Sequence, residues 1–264
     1  MRPLLIAFCS LVVGFSADAA TCTNPVTVTG GATATGIVEL YTSEGCDSCP
    51  PTDKWFSTLP ANDANVIPLA FHVDYWDYIG WKDRFGKPSF AQRQREEVVR
   101  QGSRTVYTPQ ILLNGKNWRG WQSGGLGSDL TARPARATLT LNLLPGDSQR
   151  AGPGANQQIA VHLTAKIDDA VERKESGVFI AVTENNLLSR VNAGENRGAT
   201  LKHDHVVREL IGPLPIHLDG VLDIVRQISL PSDWKNADLQ VVTFVQNRRN
   251  GEVLQAVSAP VCRQ

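Results

Sequence analysis

Two cysteines three positions apart, Cys46 and Cys49, constrain this chain more than any other feature. They follow Gly36–Thr42, a stretch with the β-branched and aromatic content that is typical of a strand. They precede residues 52–59, which have helical character. The pattern therefore predicts a strand, a loop that carries Cys46 and Cys49, and a helix in succession. This loop is called the cysteine loop below.

A C-x-x-C pair occurs in four kinds of site: half of a zinc site, a haem attachment, a structural disulfide or a redox-active dithiol. No second C-x-x-C and no paired histidine follows at a spacing suited to zinc, and Pro50 stands where haem attachment needs a histidine. The structural disulfide and the redox dithiol both remain open. A position before a helix favours the dithiol, because backbone amides and the positive helix end lower the pKa of a thiol.

The first half of the chain alternates strand-like and helix-like segments. Residues 65–73 and 111–113 are apolar and strand-like, and residues 90–101 form a polar helical stretch with apolar residues at 90, 98 and 99. This alternation predicts an α/β domain over residues 36–135, after an N-terminal segment over residues 20–35.

The character of the sequence changes after Pro134. Apolar and polar residues now alternate, and Gly, Pro, Asn and Asp separate seven segments: 137–144, 158–167, 177–183, 205–211, 221–228, 239–246 and 253–258. Such alternation indicates strands with one buried face. We expect residues 136–264 to form an all-β, sandwich-like domain.

The N-terminus has the pattern of a secretory signal peptide. Arg2 precedes an apolar run over residues 4–15, and the small residues Ala17 and Ala19 follow it, which predicts cleavage after Ala19. The run is too short to span a bilayer. The sequence therefore predicts a periplasmic or secreted protein, with a signal peptide over residues 1–19 and no membrane span in its mature form.

Removal of Cys9 with the signal peptide leaves Cys22 and Cys262 besides the C-x-x-C pair. Disulfides persist outside the cytosol, and the termini of compact folds often lie close together, so we expect a structural Cys22–Cys262 disulfide. The charges are balanced, with 26 Lys and Arg against 26 Asp and Glu. We therefore expect no nucleic-acid partner.

Two separated pieces of sequence, residues 36–59 and the Thr108-Pro109 pair with residues 110–115, resemble a thioredoxin-fold domain. The stretches ELYTSEGCDSCPP, FHVDYWDYIGWKD and GENRGATLKHDHVV more closely resemble an exported bacterial family of unknown function with an N-terminal thioredoxin-like domain. The resemblance implies that Cys46 is an exposed nucleophile, that Cys49 resolves the mixed disulfide, and that Pro109 follows a cis peptide bond.

Two acids near the cysteines have different expected roles. Glu39 lies in the strand before the cysteine loop, and as a proton acceptor for Cys49 it would need to be buried with a raised pKa. A solvated carboxylate at the edge of the sheet is the alternative for Glu39. We expect Glu44 to be an exposed loop acid.

The leading functional hypothesis is an exported thiol-disulfide oxidoreductase that acts on protein or peptide thiols and disulfides without a cofactor. A metal-binding or copper-transfer protein is the second hypothesis, with Cys46, Cys49 and His72 as ligands. The third is a non-catalytic binding module in which the C-x-x-C pair is a structural disulfide. The oligomeric state does not follow from the sequence.

Overall fold

The computed structural model describes residues 25–60, 65–123, 126, 130, 132–145 and 156–261. The expected signal peptide and the expected Cys22–Cys262 disulfide lie outside the described residues. Fourteen strands and three α-helices occur within them: β1 (Val26–Thr29), β2 (Gly36–Thr42), α1 (Pro50–Phe56), β3 (Val66–His72), α2 (Pro88–Arg100), β4 (Gln110–Leu113), β5 (Lys116–Asn117), β6 (Thr138–Pro145), β7 (Gln157–Lys166), α3 (Ala170–Glu175), β8 (Ser176–Glu184), β9 (Leu187–Arg190), β10 (Thr200–His203), β11 (Val206–Leu214), β12 (Val221–Leu230), β13 (Leu239–Asn247) and β14 (Val253–Pro260).

Most strands belong to one large mixed sheet. Its eight strands lie in the order β14-β13-β8-β11-β3-β2-β4-β5. A second sheet has the order β1-β6-β7-β12, and β9 pairs with β10 in a separate two-stranded hairpin. The pairs β2–β3 and β3–β11 are parallel, whereas the other pairs of the large sheet are antiparallel.

The predicted fold class, an α/β thioredoxin-like domain followed by an all-β, sandwich-like domain, is wrong. Strands from both predicted parts share the large sheet: β11 pairs with β3 through Val206 and Ala70, and β8, β13 and β14 extend the sheet beyond β11. The described residues are dominated by strands, and their helices are short and few. Periodicity in sequence is local, so it identified individual strands without revealing which sheet each one joins.

Strand β2 lies at the centre of the fold and is buried on both faces. Ile37 and Tyr41 pack on the face that is covered by α2, in one core cluster with Phe90. Val38 and Leu40 pack on the opposite face with residues of α1. This division follows from the alternation of side chains along a strand, and it determines which residues can lie near the cysteines.

Within the described residues, no helix has both the length and the apolar character needed to cross a bilayer.

Candidate functional site around a buried disulfide

Cys46 and Cys49 are joined in a disulfide at the start of α1. Cys49 is the residue before the first helical turn, and Pro50 and Pro51 follow it. Proline suits this place, because the first amide groups of a helix have no partner within the helix and the fixed φ angle of proline is helical. Both cysteines therefore precede the helix that they introduce.

The disulfide is completely covered. Cys46 and Cys49 each have 0% of their surface exposed, so the expectation of an exposed Cys46 is wrong for this structure. Asp47 and Ser48 between the two cysteines are both exposed, so the cysteine loop itself reaches the protein surface. The Cys46 Sγ atom lies 3.4 Å from the hydroxyl of Ser48.

The loop between β9 and β10, residues 191–199, binds the backbone of the cysteine loop and is called the cover segment below. Asn196 Nδ2 donates hydrogen bonds to the backbone oxygens of Glu44 and Cys46, at 2.9 Å in both cases. The backbone N–H of Asp47 donates to a carboxylate oxygen of Glu195 at 3.4 Å. The cover segment therefore contacts the cysteine loop through its side chains.

Pro109 lies beside the end of β2. The Thr108–Pro109 peptide bond is cis, and the register pairs Gln110 with Tyr41, which places Pro109 next to the strand end that leads into the cysteine loop. Trp76 Nε1 donates to the Thr108 hydroxyl at 2.7 Å. The Trp76 side chain also lies against the backbone of the cysteine loop, where a Cβ added at Gly45 would be 3.1 Å from it.

Five buried ionisable residues surround the path from the cysteine loop into α1, and we call them the acid–histidine cluster: Glu44, Asp53, His72, Asp83 and His203. His72 Nδ1 lies 2.7 Å from an oxygen of Asp83. His203 stands between two carboxylates, with Nε2 3.4 Å from Glu44 and Nδ1 3.9 Å from Asp53. The two imidazole centroids are 4.8 Å apart.

The environment shifts the pKa values within this cluster. Burial raises the pKa of Asp53 above its ordinary value, although both histidines act against it. Burial would lower the pKa of His72, but the Asp83 carboxylate outweighs burial and raises it. Asp83 is affected in the opposite sense: burial would raise its pKa, but His72 lowers it. Perturbed pKa values of this kind are concentrated at functional sites.

Four buried atoms of the cluster have no hydrogen-bond partner within the described part of the chain: Glu44 Oε1, Asp53 Oδ1, His72 Nε2 and His203 Nε2. All four side chains are more than nine-tenths buried. A buried polar atom without a partner costs about 1–3 kcal/mol. Since the cluster carries such a cost beside the disulfide, packing alone does not account for these residues.

Glu39 lies on the other face of the sheet from α1. It alternates with Val38 and Leu40, which face α1, and its carboxylate binds the Arg93 guanidinium through two hydrogen bonds of 2.9 and 3.0 Å. Tyr41 donates a third hydrogen bond at 2.7 Å. Glu39 is buried, which excludes the solvated edge carboxylate, but its placement does not fit the role of proton acceptor for Cys49.

The sequence analysis missed most of the cluster. Glu44 was expected to be exposed, and that prediction is wrong because the residue is fully buried and accepts a hydrogen bond from Trp81 Nε1 at 2.8 Å. His72, Asp83 and His203 lie in the same quoted stretches that carry the family resemblance. Their concentration in those stretches was a signal, but only the folded chain shows that they meet.

The structure gives the metal hypothesis little support. Its proposed ligands Cys46 and Cys49 are bonded to each other. Across the described ranges, no group of three or more His, Cys, Asp and Glu residues has an arrangement that could hold a metal ion.

The chain belongs to a family described as a protein of unknown function, DUF1223, which it matches over residues 37–246. A crystal structure of a protein from Agrobacterium tumefaciens is similar, with 22% identity, a TM-score of 0.56, and coverage of 88% of this chain and 96% of that chain. The structure of HBP35 of Porphyromonas gingivalis is also similar, with 20% identity, a TM-score of 0.62, and coverage of 88% and 76%. At these identities the likeness shows the fold alone. No curated protein matches the chain in sequence.

Proposed function

We propose that this member of a family of unknown function is an exported protein that exchanges disulfides with protein or peptide thiols through Cys46 and Cys49. In the dithiol form, the Cys46 thiolate attacks a substrate disulfide and releases one substrate thiol. The Cys49 thiolate then attacks Cys46 Sγ and releases the second substrate thiol. Each leaving thiolate takes up the proton that the attacking thiol has lost. The thiols of Cys46 and Cys49 are thereby oxidised to a disulfide, and a dithiol donor reduces this disulfide again.

The observation that carries this proposal is that buried ionisable residues flank the disulfide in the chain, Glu44 just before Cys46 and Asp53 in the first turn after Cys49. The bond joins residues only three positions apart, so it constrains the unfolded chain by about 2 kcal/mol in the entropy model. That is a small stabilisation beside the cost of burying the acid–histidine cluster around it. A site for chemistry accounts for both features, because thiol exchange needs groups that hold and move protons.

The closed arrangement sets a condition on this activity. Neither sulfur can be attacked while both are covered. In this proposal they become accessible when the cover segment, which binds the backbone of the cysteine loop, leaves it. The cover segment is bound to the cysteine loop by a few hydrogen bonds. Local opening of such a loop costs far less free energy than unfolding of the whole domain.

Trapping of partners tests the proposal. The Cys49→Ala variant cannot resolve a mixed disulfide, so it is expected to accumulate covalent complexes through Cys46 in the compartment to which the chain is exported. These complexes are measured on non-reducing gels. Cys46→Ala is the matched control and is expected to trap none. Absence of complexes from Cys49→Ala, also when Asn196→Ala is added to loosen the cover segment, would refute the proposal.

The complete burial of both cysteines favours a second candidate, a binding module with a fixed structural disulfide. The two candidates differ in how the bond is reduced. A fixed disulfide reacts with dithiothreitol only when the whole protein unfolds, whereas an exchanging disulfide reacts in the folded protein after the cover segment opens.

A further inference from the structure

The cysteine loop presents three backbone groups that bond to side chains of the cover segment, and one of them, Cys46 O, also accepts from the Cys49 N–H at 3.3 Å. The oxygens of Glu44 and Cys46 accept from Asn196, and the N–H of Asp47 donates to Glu195. Two acceptors and one donor along a short stretch of backbone are the groups with which an extended polypeptide pairs. The surface beneath the cover segment is therefore suited to a peptide.

The cover segment is closed by hydrogen bonds of its own. Val191 N–H donates to Ala199 O at 2.9 Å, Gly198 N–H donates to Val191 O at 2.8 Å, and Ala199 N–H donates to Asn196 O at 3.0 Å. Strands β9 and β10, which carry it, pair with each other and with neither of the larger sheets. The segment can therefore move away from the cysteine loop without losing its internal structure.

Val191, at the start of the segment, is buried, whereas the residues after it are held in place by few contacts. Besides the three hydrogen bonds to the cysteine loop, Gly194 lies close to Trp81, where an added Cβ would be 3.2 Å from the Trp81 Cβ. The outer side of the segment faces solvent at Asn192 and Glu195. From the net free energy of three hydrogen bonds, we expect the population of the covered form to exceed that of the open form by a factor on the order of a hundred.

We propose that the cover segment occupies the place of the partner, and that the partner is an extended polypeptide segment with a cysteine, which displaces Asn196 and pairs with the backbone of the cysteine loop. This inference rests on the proposed function and adds to it where the partner binds and in which conformation. A polypeptide can replace all three hydrogen bonds that the cover segment gives up, so its binding favours the open form.

The test compares two asparagines of the same loop. Asn196→Ala removes two of the three hydrogen bonds, and we expect its disulfide to be reduced by a synthetic peptide dithiol about 30-fold faster than that of the unaltered protein. Asn192→Ala, at an exposed position of the segment, is expected to react at the unaltered rate. Glu195→Ala removes the third hydrogen bond alone, and we expect its disulfide to be reduced about fivefold faster than that of the unaltered protein.

A competition experiment addresses the partner directly. A synthetic peptide with the sequence of residues 191–199 is expected to slow the reaction of the Asn196→Ala protein, because it binds the surface that is exposed more often when the cover segment is held less tightly. The same peptide with alanine in place of its second asparagine is expected to have no effect. Slowing by the first peptide alone supports the inference.

Two results separate failure of the inference from failure of the proposed function. If the folded unaltered protein reacts and both Asn196→Ala and Glu195→Ala react at its rate, the inference is wrong and the proposed function stands. If none of these proteins reacts while folded, the proposed function itself fails. Circular dichroism establishes that each variant is folded at the assay temperature.

Discussion

The large sheet carries buried charge on both of its faces, and the two groups differ in how well their atoms are paired. On the α2 face, both oxygens of Glu39 are bonded, Arg93 also packs against the Phe179 ring at 5.1 Å, and Glu97 Oε2 lacks a partner among the described residues. On the α1 face, four buried atoms of the acid–histidine cluster lack a partner among the described residues. A group that is nearly fully paired is accounted for by stability, whereas a group with several unpaired buried atoms beside a disulfide is a candidate for chemistry.

The largest expected effect is on the α2 face. Arg93→Met leaves Glu39 buried without its cation and Glu97 with Arg100 alone, and we expect the free energy of unfolding to fall by about 3–5 kcal/mol. Urea denaturation measures the loss. Arg95→Met is the matched control, because Arg95 is exposed on the same helix, and we expect a change within about 0.5 kcal/mol. Equal stability of the two variants would show that the Glu39–Arg93 pair is not structural.

A smaller effect is expected from loss of the disulfide. We expect the double variant Cys46→Ala with Cys49→Ala to fold and to lose about 2 kcal/mol of stability, because the bond closes a very short loop. Urea denaturation under non-reducing conditions checks this value. A loss as large as that of Arg93→Met would mean that the disulfide is a principal support of the fold, contrary to the contrast between the two faces.

The smallest expected effect is a pH dependence on the α1 face. The pKa of His72 is raised in the folded protein, because Asp83 outweighs burial. The stabilisation that His72 contributes is therefore complete below its ordinary pKa of about 6.5 and is lost as the pH rises through the folded value. We expect the free energy of unfolding to fall over this range by less than about 1.4 kcal/mol per pH unit.

His72→Gln is expected to remove this part of the pH dependence. His162→Gln is the control, since His162 lies 2.7 Å from Asp223 at an exposed position and forms a similar pair outside the cluster. Denaturation series from pH 5 to pH 9 provide the comparison. If the free energy of unfolding depends on pH in the same way in His72→Gln, another residue is the group that titrates.

The sequence predicted individual elements better than their assembly. All seven strand segments expected beyond Pro134 are strands, because alternation along a strand records which side chains face a core. The parallel pairing of Val206 with Ala70 joins residues far apart in the chain, and no local pattern could indicate it. The predicted fold class is wrong because this pairing joins strands of both predicted parts in one sheet.

The candidate site shows the same limit. The C-x-x-C pair and the proline before β4 were recognisable, because each belongs to a short motif. The burial of Glu44 and the approach of His203 depend on the β9–β10 hairpin, which was not expected from sequence and which folds over the cysteine loop. Exposure of a residue follows from what covers it, so the sequence around Cys46 could not show that the sulfur is hidden.

The rate of reduction of Cys46–Cys49 by dithiothreitol, measured against urea concentration below the unfolding transition, tests the central claim most directly. Local opening exposes little surface, so we expect a rate that hardly depends on urea and that rises about 30-fold in Asn196→Ala. A rate that rises with urea as steeply as the unfolding equilibrium constant would contradict the account, because the disulfide would then react only in the unfolded chain.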